Sequence, residues 1–481
     1  EADQLPSDPV PADFEGGLDL RDKTIFTIDG EDAKDFDDAI HIEDLEGGRV
    51  LVGVHIADVA HYVTPGTALD AEALARATSC YLPDQVVPML PEKLSNELCS
   101  LVAHRPRLAF SVLMTFDAKG DRLGTEVRKT VIRSVRRNTY KEVQELLDGT
   151  GTPPADLKAL EPDLRRFERW AKQSASRRES KGAMRLPSRE QKFEFDAQGE
   201  VARIVDAPRY FSMSLIEETA LAANQAVGDL FRSRGLPTIY RVHPEKDPEE
   251  IAAVAAQLAQ HGIRVPEKDR LTGRDISRLI RAARRKPNAD ALIQRIMGLV
   301  ERAVYEVRDH EDVATHFGLA KEAYLHFTSP IRRYPDLIVH RWLWAIESRA
   351  TEAESELLAD AIVADLNDVA AHSSIQAEVA EMASRAIADL KVCQFVEPHV
   401  GETLDARVVR VSPYGLDVHL TDLNVNAFLP VRAVGQKAEV KGATITIRAG
   451  RRNFSFSEGH PIRVKVKDVD FIKLSVNLEL P

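Results

Sequence analysis

The alternation of hydrophobic and polar positions changes rhythm three times along the chain. Residues 1–18 show no apolar period and carry Pro6, Pro9, Pro11 and the pair Gly16 and Gly17, so they read as an extended arm. From Asp19 to Phe116 short strand-like runs dominate, at 24–28, from 39 to 42 and at 50–56, interrupted by helical spacing at 67–78 and 91–98. That mixture predicts an α/β body. A polar Gly/Pro connection at 148–163 leads into a basic segment, after which helical spacing takes over. Helices are predicted at 213–232, capped by Ser212, and at 248–261, 275–286, 289–307 and 353–391. Ser329 followed by Pro330 marks a further helix start, but Pro335 does not suit a helix interior, so one turn and then a second start are expected. From Gly401 the period returns to two, in DARVVRV, YGLDVHL, NAFLPV, ATITIR, HPIRVKVKDVD and FIKLSVNLEL, the pattern of an antiparallel barrel such as a five-stranded OB fold. The expected division is an arm at 1–18, a mixed α/β domain at 19–400 and an all-β barrel at 401–481.

Composition narrows the class. No stretch approaches the roughly 20 apolar residues of a membrane span, and no signal peptide is visible, so no membrane partner is expected. Cys80, Cys99 and Cys393 are far apart in apolar surroundings, which suits reduced thiols and a cytoplasmic location rather than a disulfide framework or zinc site. Glu1 is not an initiator methionine, and a missing native amino-terminal segment is an expectation. The net charge of −12 speaks against nucleic acid as a partner, but the distribution speaks for it. Between Arg165 and Arg189 nine bases face two acids, Glu168 and Glu179, and residues 401–481 are net +3. In the barrel Tyr414, Phe428, Phe454 and Phe456 interleave with Arg407, Arg410, Arg451 and Arg452, a composition suited to stacking bases and holding phosphates.

The chemistry concentrates in residues 28–38, IDGEDAKDFDD, where six acids accompany the single base Lys34. Two carboxylates about 4 Å apart repel by roughly 1 kcal/mol in water and about 4 kcal/mol at an effective dielectric of 20, so an ionised cluster calls for a cation. Oxygen-only ligands suit Mg²⁺. An EF-hand reading fails, because starts at Asp29, Asp32 and Asp35 put Lys34, Asp37 and Ile40 where the loop needs glycine. The competing reading is a solvated acidic turn, and the flanking strands weigh against it by holding the run on a scaffold.

Four segments then carry a resemblance: TIDGEDAKDFDDAI, HIADVAHYV at 55–63, YLPDQVVPMLPEKLSNELCSL at 81–101 and HFTSPIRRYPDLIVHR at 326–341. Together and in this order they resemble the ribonuclease II/ribonuclease R (RNB) family, from about Asp19 to near Val400. The resemblance implies an RNB-type catalytic domain followed by an S1-type RNA-binding domain. It implies a processive 3′-to-5′ exoribonuclease that threads single-stranded RNA to a buried site and releases nucleoside 5′-monophosphates. By the same resemblance Asp29, Asp35, Asp37 and Asp38 are metal-site carboxylates for two Mg²⁺ ions, or Mn²⁺, and cleavage depends most on Asp37. Glu31 and Asp32 are bystanders. Arg332 matches the arginine that stabilises the phosphate, and Arg333 is its neighbour. Tyr81 matches the residue stacked at the RNA 3′ end, while Tyr140 and Glu217 match positions linked to ribose recognition, with Glu218 as the alternative. The family's second stacking aromatic falls at Leu186, which leaves that role weakened or passed to Phe193.

Other enzyme classes lack their motifs: there is no GxSxG elbow, HExxH helix, P-loop or Rossmann glycine pattern. His55, His61, His316 and His340 are scattered and read as structural. The rival class is a non-catalytic RNA-binding homologue acting as a scaffold, against which the intact aspartates stand. No obligate protein partner is evident, and a monomer is expected.

Overall fold

The computed structural model describes residues 1–183, 190–268, 271–286, 289–308, 315–441 and 444–481. Its first part is built on strands β1 Leu18–Asp19, β2 Ile25–Asp29, β3 Asp38–Leu45 and β4 Arg49–Ala57. Short helices α1 Val59–Tyr62 and α2 Ala68–Arg76 follow, then the two-residue hairpin strands β5 Cys80–Tyr81 and β6 Val86–Val87, and the long strands β7 Pro106–Phe116 and β8 Arg122–Thr139. The sheet order is β1-β8-β2-β3-β4-β7, with β8 pairing β7 as well. Strand β8 meets β7 over Arg122 to Arg133 and β2 over Ser134 to Thr139, so the pairings run in a closed circuit. Alternation sets the faces: Val52, Val54 and Ile56 of β4 join Phe110, Val112, Met114 and Phe116 of β7 in one core.

Helices cover that core. The capping box of Thr139 and Glu142 starts α3 Tyr140–Asp148, and α4 Ala155–Ala159 leads to α5 Glu161–Lys181. Helix α5 buries Leu164, Phe167, Trp170 and Ala171, at helical spacing, against the sheet. The hairpin β9 Gln191–Phe195 and β10 Val201–Asp206 precedes α6 Phe211–Ser233. Ser212 is not the cap of α6: Tyr210 takes that place, and the Ser212 hydroxyl, already inside the helix, donates to the Tyr140 carbonyl at 2.6 Å.

After β11 Thr238–Val242 come α7 Pro248–Ala259, α8 Gly273–Ala283 and α9 Ala289–Met297. The single helix expected at 289–307 ends at Met297, because Val304–Arg308 pairs antiparallel with β11 as β12. Local spacing of apolar residues fitted both structures, and a strand 60 residues upstream decided. Short strands β13 Thr315–His316 and β14 Lys321–Glu322 lead to α10 Tyr334–Arg349, with Pro335 in its first turn, as the double start requires. Helix α11 Thr351–Leu357 and the long α12 Asp360–Val396 replace one helix expected at 353–391.

The carboxy-terminal barrel closes as β15-β16-β17-β22-β21. Its strands are β15 Thr403–Ser412, β16 Gly415–Leu420, β17 Val425–Pro430, β21 Pro461–Asp470 and β22 Ser475–Glu479. Between β17 and β21 lie α13 Val431–Val434 and a three-stranded sheet of β18 Lys437–Lys441, β19 Thr444–Ala449 and β20 Arg452–Ser457. Inward residues such as Val408, Leu416, Val418, Val464 and Leu478 fill it, and Ile204 of the distant β10 and Val396 of α12 join the same cluster. The amino-terminal arm is not simply extended: it forms turns at Ala2–Gln4 and Pro11–Phe14 and is tied down by Lys93, which donates to the Asp3 and Leu5 carbonyls, and by Arg107 on Asp8.

Gly228 sets how closely α6 approaches the segment leading to residues 323–333, since a Cβ there would sit 1.9 Å from the Ala323 carbonyl oxygen. Gly228→Ala is therefore expected to destabilise the fold by about 1–3 kcal/mol through overpacking. Denaturant unfolding of the variant checks this, and an unchanged midpoint would overturn the close-approach reading.

Candidate active site

The acidic run is a loop between β2 and β3, and it is held from four sides by backbone hydrogen bonds. Ser100 Oγ donates to the Lys34 carbonyl at 2.7 Å and accepts from the Phe36 N–H at 2.9 Å. Leu101 N–H donates to the Phe36 carbonyl and Ala57 N–H to the Asp37 carbonyl. Arg137 donates to the carbonyls of Gly30 and Glu31. The loop therefore presents its carboxylates from a fixed frame.

The second wall comes from the turn before α10. Asp336, fully buried, accepts from the Ser329 N–H at 2.8 Å and from both edges of the Arg333 guanidinium at 2.8 and 2.9 Å. Ser79 N–H donates to the Arg332 carbonyl at 3.0 Å, so the turn is also pinned beside β5 and Tyr81. The Ile331 N–H donates to Asp37 Oδ1 at 2.9 Å, and Arg332 Nε lies 3.5 Å from Asp37 Oδ2. Arg332 sits over the Tyr81 ring at 5.9 Å, and the Tyr81 hydroxyl donates to Asp35 at 3.2 Å.

Helix α6 and the start of α3 complete a cleft of about 450 Å³. Asp29, Asp35, Asp37, Asp38, Tyr81, Tyr140, Glu217, Arg332 and Arg333 all line it. Glu31 and Asp32 are exposed outside it. Glu218 points elsewhere and is held by Arg178 at 2.5 Å, which makes Glu217 the glutamate of the cleft. Phe193 packs against the barrel core and is no part of the cleft, and Leu186 lies outside the described residues. Among the histidines, His55 is buried between His41 at 2.7 Å and Ser111 at 2.6 Å, and His340 is buried against the Phe327 carbonyl.

Sequence reading missed Asn224, whose amide donates to the Tyr324 hydroxyl at 3.0 Å and accepts from the Phe327 N–H at 2.8 Å. It stands seven residues after Glu217, on the same face of α6, and a buried amide in an otherwise apolar face was the available signal. Ser100 and Arg137 carried no local signal, because their partners are backbone groups far away in sequence.

Burial dominates the electrostatics. It pushes Asp29 up to about 8, reinforced by repulsion from Asp38, and Asp38 up to about 6, partly offset by Arg332 and Arg333. Burial also raises Asp37 well above the ordinary carboxylate range, against the pull of Arg332 and the Ile331 N–H. Asp29 Oδ2 is buried without any hydrogen-bond partner. Among the described residues no group of three or more His, Cys, Asp or Glu side chains is arranged so as to hold a metal ion. The unpartnered Asp29 Oδ2 and the carboxylates beside it are oxygen donors of the kind a hard cation takes.

Known proteins resemble the chain along its whole length. The RNB domain family matches residues 18–349 and the S1 RNA binding domain family residues 397–479. Ribonuclease R of Thermotoga maritima is 36% identical over the whole chain and 67% of its own length. Ribonuclease R of Escherichia coli K12 is 32% identical over 98% of the chain and 58% of its own length. The chain thus spans roughly three-fifths to two-thirds of these relatives. Among solved structures, Mycoplasma genitalium RNase R in complex with ribose-methylated single-stranded RNA superposes with a TM-score of 0.86 at 24% identity, covering all of this chain and 74% of that one. A yeast pseudonuclease shares the fold with a TM-score of 0.63 at 20% identity, covering 92% of this chain and 54% of its own.

Without a cation, the stability contributed by Asp29 is present below its ordinary value of 3.8 and is lost as pH rises through about 8. Asp29→Asn is therefore expected to raise Tm in EDTA at pH 8 and to shrink the rise in Tm that Mg²⁺ produces in the unaltered protein. Thermal unfolding checks both, and a wild-type Tm insensitive to Mg²⁺ at pH 8 would remove the cation from the site.

Proposed function

The chain belongs to the RNB-domain family, and from that membership we propose that it is a processive 3′-to-5′ exoribonuclease, hydrolysing single-stranded RNA to nucleoside 5′-monophosphates. The observation that carries the reading is the convergence of Asp29, Asp35, Asp37, Asp38 and Arg332 in one cleft with Tyr81, Tyr140 and Glu217. A fold shared with a pseudonuclease does not by itself imply chemistry, so the weight rests on these side chains rather than on the scaffold.

Two divalent ions, Mg²⁺ or Mn²⁺, held by Asp29, Asp35, Asp37 and Asp38 would supply an activated water and charge for the leaving oxygen. Arg332, beside Asp37, meets the negative charge that grows on the phosphate as the P–O3′ bond breaks. The 3′ oxygen takes a proton and the terminal nucleotide leaves with its 5′-phosphate. The guanidinium of Arg333 is engaged by Asp336, so Arg333 works by holding the turn that aims Arg332. Tyr81, half exposed beside Arg332, offers a face for the last base, and Tyr140 with Glu217 reads the ribose 2′-hydroxyl.

On this reading residues 1–18 are an arm, 19–400 the catalytic domain and 401–481 an S1-type domain that feeds single-stranded RNA. Tyr414, 80% exposed on the barrel, suits base stacking there. The protein works as a monomer in the cytoplasm, in keeping with three free thiols, two of them buried. Among the described residues no helix is long and apolar enough to cross a membrane.

Incubating 5′-labelled RNA with the protein should shorten it from the 3′ end with Mg²⁺ and not with EDTA. Asp37→Asn is expected to abolish shortening while RNA affinity is kept or raised; turnover comparable to wild type at saturating RNA would sink the metal assignment. Arg332→Ala should lower kcat by on the order of a hundredfold, more than it weakens binding. A change confined to KM would make it a docking residue. Matched RNA and DNA strands should both bind, with only RNA cut at an appreciable rate, and equal rates would refute the ribose reading of Tyr140 and Glu217.

A further inference from the structure

Behind α6, on the side away from the catalytic cleft, lies a second cavity of about 630 Å³ between the end of α5, the turn joining β7 to β8, and β14. Seven basic and four acidic side chains line it. Each acid has a basic partner. Arg122 pairs with Asp229 at 2.5 Å, Arg177 with Asp121, Arg178 with Glu218 at 2.5 Å, and Arg232 with Glu322 at 3.4 Å. Lys181, Arg274 and Lys321 are left, and among the described residues none of the three forms an ion pair. Arg274 only donates to the backbone carbonyls of Ser180 and Lys181 that end α5. Burial pushes the Lys321 ammonium down to about 8, and Glu218, engaged by Arg178, offsets this only in part.

Three unneutralised cations around one cavity, in a chain whose net charge is −12, mark an anion site. A phosphate dianion fits the surplus, and the volume lies within the range of pockets that hold a small ligand. Arg178 lies between the two cavities. It lines this one, and its guanidinium also donates to Glu217 of the catalytic cleft, at 3.2 Å against 2.5 Å to Glu218. An anion here competes first for the longer of those bonds. We propose that this cavity binds a phosphate group, carried by a mononucleotide product, by inorganic phosphate or by the RNA backbone, and that Arg178 couples its occupancy to Glu217. The coupling rests on the proposed role of Glu217 in hydrolysis; the binding does not.

The test is calorimetric titration of the full chain in EDTA with inorganic phosphate, adenosine 5′-monophosphate and adenosine. The two phosphates should bind and adenosine should not. Lys321→Gln and the exposed Lys181→Gln should each weaken binding by about tenfold or more, as loss of a charge-assisted contact does, and Asp37→Asn should leave it unchanged. Displacement of phosphate by a short single-stranded RNA would identify the RNA backbone as the source, and its absence would identify the free nucleotide or phosphate. No binding to the wild type, wild-type affinity retained in both lysine variants, or loss in Asp37→Asn would overturn the site. In turnover, phosphate should lower kcat of the wild type without raising KM for RNA, and Lys321→Gln should escape it while matching the wild-type rate in phosphate-free buffer. Inhibition that persists in Lys321→Gln would overturn the coupling. A chain that binds phosphate through Lys321 but cleaves no RNA would leave the anion site standing and refute the nuclease reading alone.

Discussion

One buried hydrogen bond, from the Ile331 N–H to Asp37 Oδ1 at 2.9 Å, holds the site together across 294 residues of sequence. A carboxylate as buried as Asp37 is costly unless something compensates it, and here the compensation comes from another part of the chain. The bond fixes the aspartate loop against the turn that carries Arg332. In the other direction, Asp336 and the backbone of residues 77–79 hold that turn in place. Neither half has its partners until both have folded. The acidic cluster is therefore a product of the sheet and α10 docking together, and it keeps Asp29 and Asp38 close enough to repel.

Helix α6 is the wall on which this arrangement is read from two sides. Glu217, Ala220, Leu221 and Asn224 face the aspartates, whereas Glu218, Ala222, Gln225 and Asp229 face the basic cavity. The helical period makes one helix serve both chambers. Gly228 and Asn224 press it against the segment 323–327, so displacement of α6 is felt at Arg332 as well as at Glu217. The two adjacent glutamates thus face separate cavities, and Arg178 bonds to both.

The barrel is joined to the catalytic body by shared core as well as by the covalent chain. Helix α12 delivers Val396 to the barrel interior, and β10, from a hairpin inserted before α6, adds Ile204. Near its middle α12 also exchanges hydrogen bonds with the segment of Tyr81: Cys80 Sγ donates to the Ala380 carbonyl, and Ser384 Oγ of α12 donates to the Tyr81 carbonyl. A rigid helix of 37 residues thus connects the residue beside Asp35 to the barrel.

The alternating runs of β2 to β4 and of the barrel, the double helix start around Pro335, and the aspartate cluster were legible in the sequence, because each depends on short-range periodicity or on residue type. The family resemblance then suggested roles for Asp29, Asp35, Asp37, Asp38 and Arg332 and set Glu31 and Asp32 aside. Where period and tertiary pairing competed, local reading failed: residues 304–308 left the expected helix to pair with β11, and Ser212 spent its hydroxyl on Tyr140 rather than on a cap. Resemblance favoured Glu217 over the adjacent Glu218, and which of the two meets the aspartates depends on the side of α6 that faces the cleft, where Glu217 lies. The sequence by itself determined that a cation-seeking cluster exists and on what kind of fold. Only the tertiary structure decided that Asn224 stands in the same wall as Glu217, and that Lys181, Arg274 and Lys321 share a cavity whose acids are engaged by other bases, because such pairings are set by burial between distant segments.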